Sequence, residues 1–84
     1  MNLEKLRHEI ESIDDQMRDL FLKRMVISEK IGQYKKEQGL PIFDPKREEE
    51  LIQKYTKKID NQTLIPYYQQ FLKHLMDLSK DIQT

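Results

Sequence analysis

The chain has 84 residues, enough for one domain with one modest core, and a chain of this size buries a smaller share of its surface than a larger domain does. It carries no cysteine, which excludes a disulfide framework or a zinc-thiolate site, fits a reducing cytoplasm and makes chemistry without a cofactor the default. Fifteen basic and fifteen acidic side chains balance to a formal net charge of zero, with the signs interspersed, which argues against nucleic acid or an anionic membrane as a partner.

The opening stretch Met1-Asn2-Leu3-Glu4-Lys5 lacks the apolar core of a signal peptide, and no run approaches the roughly 18 apolar residues of a membrane span, so a soluble, cytoplasmic protein is expected. From Leu3 onward, apolar residues recur at Leu6, Ile10, Ile13, Met17 and Leu20, then at Ile27, Ile31 and Tyr34. The steps alternate between three and four, as in a heptad seam, and Arg24 occupies one place in it. This spacing predicts a first helix over about 3–38, closed by Gly39-Leu40-Pro41, where glycine suits a C-cap and proline blocks continuation.

Asp44-Pro45 reads as an N-cap carboxylate followed by proline at the first helical position. It opens a second helix over about 45–59, with the stripe Leu51, Ile52, Tyr55 and Ile59. After the polar break Asn61-Gln62-Thr63, a third helix is predicted over about 65–83, with Pro66 tolerable in its first turn. Its apolar stripe is Tyr68, Phe71, Leu72, Leu75, Leu78 and Ile82. The expected architecture is all-α, one long helix and two shorter ones in a single domain spanning 1–84. At about 1.5 Å per residue the first helix is roughly 50 Å long, more than its own chain can cover. A second copy packed antiparallel about a two-fold is the simplest way to bury the rest.

Arg24 stands at a core position, where an unpaired charge costs several kcal/mol unless an anion or counter-charge offsets it. The alternative is a register-setting polar residue, or an arginine whose stem packs while its head reaches water. Lys35, eleven residues on, returns to within about 20° of the same helix face. Arg7 lies seventeen residues before Arg24, roughly 25 Å away along the axis and about 100° round it, so within one chain it cannot reach the same small ligand and reads as a solvated surface arginine. In an antiparallel dimer with its two-fold near residues 16 to 19, Arg7 of the partner subunit falls beside the stretch between Arg24 and Lys35.

Glu48 extends the buried stripe of the second helix and needs a hydrogen-bond donor, while Asp44 has a sufficient explanation as a cap and Arg47 as a surface ion-pair member. On the third helix Ser79 and Gln83 share a face, Ser79 within the apolar stripe; the alternative for Gln83 is fraying at a helix end. His8 and His74 have no matching metal-ligand pair, and no glycine-rich loop is present to cradle phosphates. No metal, cofactor or nucleophilic triad is expected.

Taken together, Arg7, Arg24, Lys35, Asp44, Arg47, Glu48, Ser79 and Gln83 resemble, in order and near-matching spacing, the active-site set of the all-helical class of chorismate mutase. The resemblance covers nearly the whole chain and rests on the Arg-x-x-Ile-x-x-Ile-Asp opening from Arg7 to Asp14, the turn at Lys35, the Asp-x-x-Arg-Glu run from Asp44 to Glu48 and the Ser-x-x-x-Gln close from Ser79 to Gln83. It implies an intertwined antiparallel homodimer that converts chorismate to prephenate by an intramolecular [3,3] rearrangement on the shikimate route to phenylalanine and tyrosine. It further implies that Arg24 and Arg7 of the partner subunit hold the two carboxylates, with Ser79 assisting. Lys35 and Gln83 would donate to the ether oxygen and Glu48 would accept from the ring hydroxyl, with Asp44 nearby through its backbone and Arg47 orienting Glu48. Isochorismate-pyruvate lyases are similar in fold and share the arginines and the lysine; the Asp-x-x-Arg-Glu run and Ser79 favour the mutase. A non-catalytic helical dimerisation module is the alternative of a different kind, with Arg24 as a register device only. Whether the domain stands alone or belongs to a fusion is left open.

Overall fold

The computed structural model describes residues 2–84. Three α-helices follow one another, α1 (Leu3–Gln38), α2 (Pro45–Thr56) and α3 (Ile65–Gln83), with a 3-10 turn at Gln62–Leu64 leading into α3. Asn2, in extended conformation, caps α1 by accepting from the amide of Glu4 at 2.9 Å. Gly39 ends it at φ 67°, a left-handed conformation that favours glycine. The Gly39 amide donates to the Lys36 carbonyl at 3.3 Å and the Leu40 amide to the Lys35 carbonyl at 2.8 Å, the paired bonds of a Schellman close.

Asp44 caps α2 as expected, its carboxylate accepting from the amide of Arg47 at 3.1 Å. The helix stops at Thr56, short of the predicted end at residue 59. The Thr56 hydroxyl turns back to the carbonyls of Ile52 (2.8 Å) and Gln53 (3.2 Å). The amides of Lys58 and Ile59 then reach carbonyls only three residues back, at 3.2 and 3.1 Å, so the chain tightens into a turn. Asn61 opens the 3-10 turn by accepting from the Thr63 amide at 3.1 Å.

Packing centres on α3, which lies against both α1 and α2. Its buried line is Leu72, Met76 and Ser79, and with Ile52 of α2 the first two form the core, flanked by Leu51, Tyr55 and Tyr68. The predicted stripe therefore needs correction. Met76 belongs inside, whereas Phe71 and Leu78 remain 42% and 44% exposed. Because α3 serves a neighbour on each side, its buried arc is set between them and not along its most apolar edge.

α1 is two-faced. Ser28 and Gly32 are its buried residues, on the side turned to α3. The nine apolar seam residues are left 41% to 64% exposed, and the chain extends 55 × 26 × 16 Å. The chain thus leaves the seam of its long helix uncovered. A groove lined by Met17, Leu20 and Phe21 of α1 and by Phe71 and Leu75 of α3 continues it.

Truncating the core centre, Leu72→Ala, is expected to cost about 2–5 kcal/mol. Leu22→Ala, at a 54% exposed position, should stay within about 0.5 kcal/mol. Urea denaturation at matched protein concentration measures both; equal costs would contradict this placement of the core.

Candidate active site

The side chains of α1 and α3 that meet at their crossing are mostly polar. Arg24, half-buried, donates from one terminal nitrogen to the Leu75 carbonyl at 3.3 Å and to the hydroxyl of Ser79. Ser28, one turn on, donates to the same Ser79 oxygen at 3.0 Å. Ser79 is thereby satisfied as an acceptor and keeps its own proton to donate. Among the described residues no carboxylate pairs with Arg24, so its remaining N–H groups are free for an anion.

Two turns further along α1, the half-buried Lys35 donates from Nζ to the carbonyl of Ile42 at 3.0 Å, tethering the loop between α1 and α2. Gly32 lies between them on the α3 side. A Cβ at this position would stand 2.7 Å from Cα of Gln83, so the missing side chain is what lets the last turn of α3 lie on α1. Gln83 lies in that contact, its Oε1 buried and without a partner among the described residues.

The start of α2 forms the facing wall. Glu48 meets the ammonium of Lys80, 3.1 Å from Oε2 and 3.4 Å from Oε1. The hydrogen-bond donor that Glu48 needs is therefore supplied by Lys80 of α3. The Lys80 ammonium also lies 3.3 Å from Asp77 and 4.4 Å above the Phe43 ring. The hydrogen bond to Glu48, helped by Asp77 and opposed by desolvation, holds its pKa above the ordinary lysine value of 10.5. A folded value above the unfolded one means that the charge on Lys80 favours the fold below pH 10.5, and its contribution is lost as pH rises through the folded value.

These walls enclose a cavity of about 400 Å³. Seven of the eight residues singled out in the sequence line it: Arg24, Lys35, Asp44, Arg47, Glu48, Ser79 and Gln83. Arg7 does not; it is 62% exposed on α1, 3.4 Å from Glu4. Ser28 and Lys80 also line the cavity, though the sequence reading passed over both. The signal for Lys80 was indirect, since Glu48 required a donor. Gly32 was readable as a glycine inside a long helix, where it costs about 1 kcal/mol relative to alanine and so calls for a packing reason. No group of three or more His, Cys, Asp or Glu side chains that could hold a metal ion occurs among the described residues. The walls offer cations, a hydroxyl and an amide, the equipment for binding and polarising a small anion with several oxygens.

An all-helical chain with such a cavity at its helix crossing defines a class of small-anion sites, and comparison with known proteins narrows it. Residues 6–84 match the chorismate mutase type II family, and the chain belongs to that family. Over 90 aligned residues it is 29% identical to a bifunctional chorismate mutase/prephenate dehydratase of Aquifex aeolicus, covering 98% of this chain and 25% of that protein. It is 41% identical over 51 residues to a T-protein of Haemophilus influenzae, covering 61% of this chain and 14% of that one. The chain thus spans a quarter or less of the length of these curated relatives. Among solved structures it is similar to a conserved hypothetical protein from Pyrococcus furiosus, with a TM-score of 0.80, 36% identity, and coverage of 98% of this chain and 95% of that one.

Gly32→Ala sets the helix-propensity gain of about 1 kcal/mol against a clash with Gln83. Because the clash falls on Gln83 in the last turn of α3 and not on the core, it should displace that turn and leave the fold intact. Backbone amide shifts are expected to move at residues 80 to 84 and stay constant in α2; unchanged shifts at Gln83 would contradict the contact.

Proposed function

We propose that this chain catalyses the rearrangement of chorismate to prephenate. The observation that carries the proposal is the convergence of Arg24, Lys35, Ser79, Glu48 and Gln83, from all three helices, on one cavity of about 400 Å³ in a chain of the chorismate mutase type II family. A pericyclic reaction breaks a carbon–oxygen bond as it makes a carbon–carbon bond, with no nucleophile and no proton leaving the substrate. The protein has only to select the reactive conformer and stabilise the charge that grows on the ether oxygen.

Arg24, with donors to spare, holds one carboxylate, and Ser79, with its proton free, assists. The second carboxylate requires another cation. The exposed seam of α1 supports a homodimer in which two long helices pair antiparallel. With the two-fold near residues 16 to 19, Arg7 of the partner subunit falls beside the stretch between Arg24 and Lys35. The two carboxylate contacts fold the enolpyruvyl arm over the ring, which is the positioning contribution. Lys35 and the Gln83 amide donate to the ether oxygen, where they bind the transition state more tightly than the substrate. Losing one such donor costs typically about 3 kcal/mol, or about a hundredfold in rate. Glu48 accepts from the ring hydroxyl; Asp44 caps the wall on which Glu48 stands, and Arg47 contributes a further cation there.

Incubation with chorismate should give prephenate; a protein that leaves chorismate unchanged, or that releases pyruvate from isochorismate instead, overturns the assignment. Arg24→Ala and Arg7→Ala should each be inactive as pure dimers. Mixed after subunit exchange, they should regain activity, because each mixed dimer holds one intact site. Exchange without recovery would remove Arg7 from the site.

Gln83 donates without titrating, and no histidine lines the cavity. The rate should therefore be flat from about pH 6 to about pH 8, where no ordinary lysine, arginine or carboxylate titrates. A pronounced fall across that range in the pH–rate profile would contradict the role of Gln83.

A further inference from the structure

Lys80 is the cavity cation that the proposed chemistry does not use. It joins three parts of the fold: Glu48 in the first turn of α2, Asp77 one turn back on α3, and the Phe43 ring in the loop between α1 and α2. The Lys80 and Glu48 side chains are 27% and 26% exposed, whereas Asp77 is 67% exposed. Solvent screens the contact with Asp77 more than the one with Glu48. Both oxygens of Glu48 lie within reach of the same ammonium, at 3.1 and 3.4 Å, which restricts rotation of the carboxylate.

The geometry points to Lys80 as a positioning residue, which holds the Glu48 carboxylate at the cavity wall and neutralises it so that it can accept from a hydroxyl of a dianionic substrate; this rests on the activity proposed above. The charge balance of the cavity supports the assignment. Four cations, Arg24, Lys35, Arg47 and Lys80, face two acids, Asp44 and Glu48. Without Lys80, Glu48 presents an unpaired negative charge to an anionic ligand. Asp44 is already engaged with the amide of Arg47, so Glu48 is the acid that needs neutralising.

The test is a double-mutant cycle on the full-length protein, with kcat and KM for chorismate measured for each variant and helical content checked by circular dichroism. Lys80→Met keeps the stem and removes the charge; if it loses helicity, Lys80→Gln replaces it. Lys80→Met should lower kcat/KM by about tenfold, mainly through KM, because the hydroxyl contact is made in the ground state as well as in the transition state. In the Glu48→Gln background the same change should cost less than about twofold, since a residue acting through Glu48 has nothing left to position. Lys80→Arg should recover most of the loss, and Asp77→Asn should change little. Equal losses in both backgrounds, or no loss in either, would overturn the role of Lys80 while leaving the activity standing. No conversion by the unaltered protein would overturn the activity, and this assignment with it.

Discussion

The interaction on which the rest of the structure depends is the meeting of Arg24 with Ser79 across the α1–α3 crossing. A guanidinium in a helix seam is usually paired with a carboxylate or drawn out to water. Here the protein gives it neutral acceptors only, a hydroxyl and the carbonyl of Leu75. That choice satisfies part of the cation without cancelling its charge, and a site for anions requires both. The same contact fixes the rotation of α1 relative to α3. Ser28 and Gly32 follow Arg24 along the facing side, and Lys35 comes round at the cavity's far end.

Much of this was legible because it is local. The bounds of α1 follow from a seam of alternating threes and fours and from one glycine that takes φ 67°. The start of α2 follows from an aspartate and a proline in sequence. What was not legible depends on which neighbour a helix meets. Thr56 is an ordinary helical residue until its hydroxyl turns back on Ile52 and Gln53. Met76 outranks Phe71 and Leu78 only because α2 lies on that side of α3. Lys80 looks like one more surface lysine until Glu48 is placed opposite it.

The candidate site divides in the same way. Charged residues in apolar stripes, such as Arg24 and Glu48, announce themselves, because the cost of burying them demands an explanation. Residues that work by being small or by supporting another group, such as Gly32 and Ser28, send a fainter signal. Arg7 is a third case. Its geometric relation to Arg24 along α1 can be read from the spacing, but a single chain leaves it exposed on the far part of that helix. Its relevance turns on a second copy, for which the uncovered seam is the physical motive.

Lys35 serves the loop twice: its carbonyl takes the amide of Leu40 in the helix close, and its ammonium takes the carbonyl of Ile42. Loop and cavity therefore share one ammonium. The ammonium has three N–H donors and Ile42 takes one, so a group entering the cavity meets the others without breaking the tether. Lys35 thus ties the segment from Gly39 to Asp44 to the wall of the cavity, so that the shape of the one depends on the position of the other.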